Sequence, residues 1–588
     1  MSLMSNLYIG VSGLQTSQNA LNTTAHNLSN VDTVGYTRQQ VQQSDKSYVT
    51  IATDPRIVSN KQTGLGVTYS NVKQVRDYFL DKAYRKESGR SMFYQVSTEV
   101  LEEVESLLGE LNGEAFQNPL SDLWTAVQEL SKDPCSSVTQ GLFVQRASEF
   151  VERAAAIYDG LSSYQDNLNL QIKQQVDKIN EYGHAILELN DRIRSIEVGG
   201  IEHPNDLRDT RNRMLDELAE LTNMTWQEDA LGNVAVQIEG VDFVKGGMCY
   251  EISMDTDATT GFYTPFWPQN ATYRVLPDGT RKYNIDGAEV FNLNIEISSD
   301  LGTDVGGLKA MLLARGDHRA NYSDIAGNNY DQISQSVIMN IQAEFDQLVH
   351  NVSGKINEIL ATAAGVEEGT LTNVRFENGT TAAILKNAHY AKDDVGGYMR
   401  AEDGSPLQMF TKYTTEGYRK VTATDANGNT GDFWVYVEED LEQQDTLYTI
   451  DNLRVNPELM QNPSNLGFRL KDGSEDKVDK ETVEALKKAF TEEVYTLNPN
   501  VRKTTSFNGY YIDLVAQVAN SGSVFRSIYE NQENTVESTL AARDQVVAVS
   551  SDEELSNMIK FQNAYNASSR YINVVDEMLE HILNTLGV

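Results

Sequence analysis

The first 31 residues, Met1 to Val31, contain no Asp, Glu, Lys or Arg, in a chain whose formal net charge is -37. Within this stretch Leu7, Leu14, Leu21 and Leu28 recur every seventh position, so on a helix they fall along one narrow stripe, widened by Leu3, Val11 and Ala25. The other faces are Ser, Thr, Asn and Gln. A helix that faces water normally carries charge, whereas a neutral, hydrogen-bonding surface suits a helix surrounded by protein. A core helix within one molecule satisfies this pattern as well as a helix packed between molecules does. What separates the two is where the partner of the stripe lies.

A matching seam occurs at the other end of the chain. Met558, Tyr565, Ile572, Leu579 and Leu586 also recur every seven residues, and Phe561, Val575 and Ile582, with Ser568, occupy the second heptad position. Helices without tertiary contacts are marginal in water, so the simplest arrangement pairs the two termini as a parallel or antiparallel coiled coil. Everything between them is then one long excursion.

That excursion is mainly helical. A hairpin is expected around Asp54-Pro55 and Gly64-Leu65-Gly66, then helices from about Met92 to Leu130, broken near Asn112-Gly113 and ended by Asp133-Pro134. Ile157, Leu161, Tyr164, Leu168, Ile172, Val176, Ile179, Tyr182, Ile186, Leu189, Ile193 and Ile196 step by three or four, a stripe that predicts one rod-like helix of roughly 60 Å. Gly199-Gly200 ends it, and Asn205 to Arg211 open another. Turn signals at Asp278-Gly279 and Asp286-Gly287, and later at Asn378-Gly379, Asp403-Gly404 and Asn427-Gly428, punctuate two β-rich segments. Helical periodicity resumes between and after them, with Leu514, Val518, Phe525 and Ile528 on one long helix. Asp552, Glu553 and Glu554 lie in the first turn of the last helix, with Ser551 as its expected N-cap.

The expected fold is therefore multidomain, mainly α with β inserts. Its parts are a terminal helical pair (1–36 plus 551–588), an elongated helical-bundle rod (37–224 plus 304–362 plus 446–550), and two small inserted β-rich domains (225–303 and 363–445). With 85 acidic against 48 basic residues, the chain repels phosphate backbones and anionic lipid, so no nucleic acid and no membrane partner is expected. Cys135 and Cys249 have no Cys-x-x-Cys spacing, and the seven histidines show no ligand spacing. Asp255-Thr256-Asp257 and Asp425-Ala426-Asn427 begin like calcium loops but misplace the Gly and lack the final Glu, which leaves solvated turns. No phosphate loop occurs, and Gly10-Val11-Ser12-Gly13 misses a nucleophile elbow by one residue. No cofactor, metal site or catalytic residue is expected. An enzymatic alternative, a wall-cutting glycosidase in a β insert, would need two carboxylates in one cleft. An adhesive insert around 370–450 is a third reading.

The run from Asn27 through Asn30, Asp32, Gly35, Tyr36, Thr37, Arg38 and Gln39 reads as a helix stop and turn, and it resembles the N-terminal signature of the flagellar axial proteins, the rod, hook and hook-associated family. The resemblance continues in Val75 to Leu80, in Leu120 to Trp124, in Asn205 to Arg211, in Leu453 to Asn456, and in Glu553-Glu554-Leu555 with Phe561 to Ser569. It implies a non-enzymatic structural component, forming the junction between hook and filament through polymerising terminal helices. The assembly interface would use Leu7, Leu14, Leu21, Leu28, Asn30, Gly35, Tyr36, Met558, Phe561, Tyr565, Ile572, Val575, Leu579, Ile582 and Leu586. Implied partners are the hook protein, the next hook-associated junction protein, the filament side and cap indirectly, an export chaperone at the C-terminal region, and further copies in a ring. The implied location is extracellular, on the flagellum, reached by type III export without a cleaved signal peptide. A hook or distal-rod protein of the same family is the near alternative, against which stand the Gly35-Tyr36-Thr37-Arg38-Gln39 form and the long helical segments at 92–222 and 507–548.

Overall fold

The computed structural model describes residues 3–54, 59–109, 116–199, 203–277, 280–327, 329–377, 379–472 and 475–586. The turn signals at Asn112-Gly113 and Asp278-Gly279, together with Pro55, Gly200 and Asn378, lie outside the described residues.

Helix α1 (Leu3–Ser29) leads through a turn into a nested antiparallel arm of β1 (Gln39–Asp45), β2 (Val49–Asp54), β3 (Ser59–Thr63) and β4 (Val67–Gln74), with β1 paired to β4 and β2 to β3. Next come α2 (Tyr78–Leu107), α3 (Gln117–Lys132), α4 (Ser137–Glu197) and α5 (Asn205–Leu221). Asp77 starts α2 by accepting the Phe79 and Leu80 amides at 2.8 and 3.3 Å, and Ser136 starts α4 by accepting that of Val138 at 3.3 Å. At 61 residues α4 spans about 90 Å, longer than the stripe alone implied, because it begins at Ser137, well before the stripe's first residue, Ile157. The stripe is buried from Ile157 to Ile193 apart from a half-buried Tyr164, and Ile196 faces solvent.

Four strands follow α5, β5 (Met224–Glu228), β6 (Val234–Ile238), β7 (Val241–Lys245) and β8 (Met248–Cys249), and form one antiparallel sheet. Val234, Val236 and Ile238 alternate inward against Ile172, Val176 and Ile179 of α4 and Leu215 and Leu218 of α5, so this β segment shares its core with the rod. Two hairpins, β9 (Ser253–Thr256) with β10 (Tyr263–Phe266) and β11 (Thr272–Val275) with β12 (Arg281–Asn284), complete it. The rod resumes in α6 (Gly307–Arg315), α7 (Tyr322–Ala326), α8 (Tyr330–Ile333) and α9 (Val337–Ala363).

Strands β13 (Glu367–Phe376), β14 (Thr381–Lys392), β16 (Tyr418–Thr424) and β17 (Thr430–Tyr436) close a small barrel in the order β13-β14-β17-β16 around Leu371, Val374, Val421 and Phe433. Asn427-Gly428 turns β16 into β17, Gly428 at φ 82. Between these pairs, β15 (Phe410–Lys412) binds β18 (Leu453–Val455), and Met399, Leu407, Met409 and Phe410 belong to the rod core. The barrel therefore has a core of its own, while residues 399–410 are part of the rod. Asp257 and Asp425, the calcium-loop look-alikes, accept backbone amides within their own turns at 2.7–2.9 Å.

After α10 (Pro457–Gln461), β19 (Arg469–Asp472), β20 (Glu475–Val478) and α11 (Lys480–Thr491), helix α12 (Phe507–Val547) returns antiparallel to α2. At the centre of the rod the Phe116 ring lies 5.2 Å from Phe150 of α4, 4.8 Å from Phe345 of α9 and 5.5 Å from Tyr511 of α12, one aromatic cluster joining distant parts of the sequence.

Two carboxyls of α9 lie inside this core. Asp346 accepts the Tyr322 and Ile450 amides at 2.9 and 2.7 Å; Glu344 accepts Asn498 Nδ2 at 2.7 Å and Gln517 Nε2 at 3.1 Å. Burial pushes both up to about 7, against those neutral donors. Raised carboxyls bind protons more tightly folded than unfolded, so their contribution is greatest at low pH and is lost as pH rises through about 7. Glu344→Gln removes one such titration. Its melting temperature should match the parent's near about pH 5 and exceed it by a few degrees near about pH 8, read by circular dichroism; parallel curves would contradict the assignment.

Candidate assembly interface

The last helix, α13 (Ser551–Leu586), begins one residue earlier than expected, because Ser550, not Ser551, caps it: Ser550 Oγ accepts the Glu553 amide at 3.4 Å. It runs antiparallel to α1, with Gly10 against Tyr571 and Ile572 and Gly13 against Ser568. A Cβ at Gly10 would lie 2.7 Å from Ile572 Cγ1 and one at Gly13 2.8 Å from Ser568 Oγ, so the two glycines set how closely the backbones approach.

The α1 face that is buried carries Ser5, Ser12, Thr16, Ser17, Ala20, Thr24 and Asn27, while Leu7, Leu14, Leu21 and Leu28 are half-buried beside it. On α13 the expected seam does face inward: Val575 is buried and Met558, Phe561, Tyr565, Ile572, Leu579 and Ile582 are half-buried; the Leu586 side chain lies outside the described residues. Much apolar surface is left over. Tyr8 and Ile559 are each 61% exposed, Met578 50% and Leu583 71%, and among the described residues none of the four apolar clusters includes one of α1 or α13.

What fixes the pair to the rod is polar. Asn27, 1% exposed, donates from Nδ2 to the Gln39 carbonyl at 2.8 Å and accepts at Oδ1 from the Gln39 amide at 3.0 Å and the Tyr36 hydroxyl at 2.8 Å. Tyr36 Oη also lies 2.9 Å from His26 Nδ1, and burial, with Asp209 and Glu554 nearby, raises its pKa. Asn30 closes the helix end by donating to the His26 carbonyl at 2.9 Å, and Gly35, at φ 80, makes the turn. Arg38 then reaches α13: Nε is 2.9 Å from Glu554 Oε1, Nη1 is 2.8 Å from Glu553 Oε2, and its amide donates to the Val547 carbonyl at 2.9 Å. The Glu554 carboxylate is nearly sealed from water. Asp209 of α5 accepts the Thr37 amide at 3.2 Å and Gln74 Nε2 at 2.7 Å. Burial raises its pKa despite those donors. One cluster thus joins α1, the arm, α5, α12 and α13.

Three family models match. The flagella basal body rod protein model covers residues 7–37, the helical domain of flagellar hook-associated protein FlgK covers 101–374, and the C-terminal region of the flagellar basal body rod FlgEFG proteins covers 546–585. Together they span more than half of the chain. Relatives match nearly end to end: flagellar hook-associated protein 1 of Bacillus subtilis at 23% identity over 98% of this chain and 97% of its own length, and that of Escherichia coli at 22% over 99% of each. Along nearly its whole length the chain is similar to the flagellar hook-associated proteins. A solved structure, the flagellar hook junction protein FlgK from Burkholderia pseudomallei, aligns with TM-score 0.48 at 13% identity, covering 81% of this chain and all of its own. The two terminal family segments, 7–37 and 546–585, are the ones the Arg38 cluster ties together.

Sequence reasoning passed over Asn27, Arg38, Asp209 and Glu554 as functional residues, and the pairing of Ser12 with Gly66. Ser12 Oγ accepts the Val67 amide at 3.2 Å, and a Cβ on Gly66 (φ 92) would meet that oxygen at 2.1 Å. Arg38 had a visible signal, as the first basic residue of the chain. Arg38→Ala strands the buried Glu554 carboxylate. Because Arg38 is itself 24% exposed, the cost should fall somewhat below that of a fully buried pair, about 2–4 kcal/mol in local opening of 548–556 by hydrogen exchange. Arg526→Ala, which removes an exposed pair with Glu102, should cost under about 1 kcal/mol; equal effects would refute the special role of Arg38.

Proposed function

We propose that this chain is a structural axial subunit of the bacterial flagellum that forms the junction between hook and filament. One observation carries the reading: the terminal helices pair with each other yet α1 leaves an uncharged polar face, and both helices leave apolar side chains, uncovered, which further copies packed side by side would bury. The segment 1–36 plus 551–588 is the inner-tube part, and the interface comprises the leucine edge of α1 and the outer face of α13. Rod and β segments face outward. The mechanism is geometric adaptation, in which directional contacts fix the terminal pair on the rod and neighbours complete its burial.

Axial proteins of the flagellum are its partners. In particular, the subunit sits on the hook protein, receives the next hook-associated junction protein, supports filament and cap indirectly, forms a ring with its own copies, and is escorted by an export chaperone at its C-terminal region. Its location is extracellular, at the hook–filament junction, after export without a cleaved signal. Among the described residues no helix is long and apolar enough to cross a membrane. The role needs no catalytic step, and the raised carboxyls Glu344 and Asp346 act as hydrogen-bond acceptors inside the rod.

Gln18 lies on the exposed face of α1. Gln18→Glu would place a like charge in every subunit of a packed tube, and desolvating it without a partner costs several kcal/mol per site. The variant monomer should melt like the parent while cells carrying it lose filaments from their hooks, scored by electron microscopy and motility. Intact filaments would withdraw the inner-tube assignment of this face.

A further inference from the structure

A groove of about 1050 Å³ separates the barrel from the β15–β18 sheet of the rod, at the upper end of the range for small-ligand sites, about 300–1,000 Å³. Four acidic and four basic residues line it, so its charge selects neither anion nor cation. Most unusual is how many of these groups are unpaired. Arg419, Glu416, Arg454 and Glu458 have no ion pair among the described residues, and Thr411 Oγ1, Arg454 Nε and Glu458 Oε2 are buried polar atoms without a partner. Three such atoms along one wall are costly, since each forfeits hydration without a compensating bond. Above them the Tyr413 ring is 64% exposed, with the Arg454 guanidinium 5.0 Å from its centroid.

We infer that this groove binds a neutral oligosaccharide, with Tyr413 as the stacking platform and Arg454 and Glu458 as the hydroxyl-binding pair. Sugar hydroxyls donate and accept at once, so vicinal pairs satisfy a planar guanidinium and a carboxylate in the same groove, as a charged ligand would not. The C–H face of a pyranose covers an exposed aromatic ring. The barrel is closed and offers no free strand edge on its side of the groove, so strand addition by an extended peptide would have to use the two-stranded β15–β18 sheet. This inference stands apart from the junction role.

The test uses the purified full-length chain on a printed array of neutral di- to pentasaccharides built from glucose, galactose, N-acetylglucosamine and N-acetylgalactosamine, alongside a panel of hexapeptides. Retained sugars are then titrated calorimetrically. Tyr413→Ala and Glu458→Gln should each weaken binding tenfold or more with unchanged circular dichroism and melting, whereas Tyr273→Ala, an exposed tyrosine on β11, should leave it unaltered. The inference is overturned if no sugar is retained, if Tyr413→Ala retains sugars as the parent does, or if hexapeptides bind in their place.

Discussion

Arg38 and Glu554 are 516 positions apart and 2.9 Å from one another. Their contact closes the excursion that contains almost the whole rod, and it does so with charges held largely away from water. Removing either partner leaves the other stranded, so the pair specifies where α13 begins more than it adds net stability. The neighbouring bonds have the same character. Asn27 spends both ends of its amide on residues 36 and 39, and Asp209 holds the next residues against α5. The terminal helices are positioned by direction, not by bulk.

The rod is built the opposite way. Its core is continuous from α2 to α12, with Phe116 in contact with Phe150, Phe345 and Tyr511, and the first β segment docks on α4 and α5 instead of enclosing a core of its own. Only Ala20 and Val575 are buried apolar side chains on α1 and α13 among the described residues. At about 25 cal/mol for each Å² of apolar surface removed from water, two helices with so little burial gain little from pairing alone. Rod and terminal pair therefore differ in local stability, and the difference follows from composition.

The helical rod was legible because its signal is periodic: the α4 stripe reads directly as a buried face, and Pro134, Pro204 and the turns at Asp286-Gly287 and Asn427-Gly428 fall between elements. The seam of α13 was legible for the same reason. For α1 the leucine stripe was plain, but hydrophobicity did not reveal that Gly10, Gly13 and a run of Ser and Thr occupy the closest contact, because small residues mark backbone approach through what they lack. Nor does periodicity see contacts between residues hundreds of positions apart, such as Asp209 with Thr37. The limits of the second β segment blurred because residues 399–410 leave the barrel and enter the rod core, an exchange that alternation within short strands does not encode.

The small-residue face of α1 and the absence of charge along it answer one requirement. Close backbone approach on one side, toward α13 and the Gly66 turn, leaves the half-buried leucine edge and the polar face turned outward, where Tyr8 and Val11 add further apolar surface. A monomer that buried this edge fully would have nothing left to offer a neighbour, and one that charged it would have to desolvate that charge in every copy. Polar, uncharged side chains avoid both outcomes, because Ser, Thr, Asn and Gln exchange water for protein partners at small net cost. On the proposed reading, assembly supplies the burial missing from each terminal pair, and the rod, stable by its own core, needs no share of it.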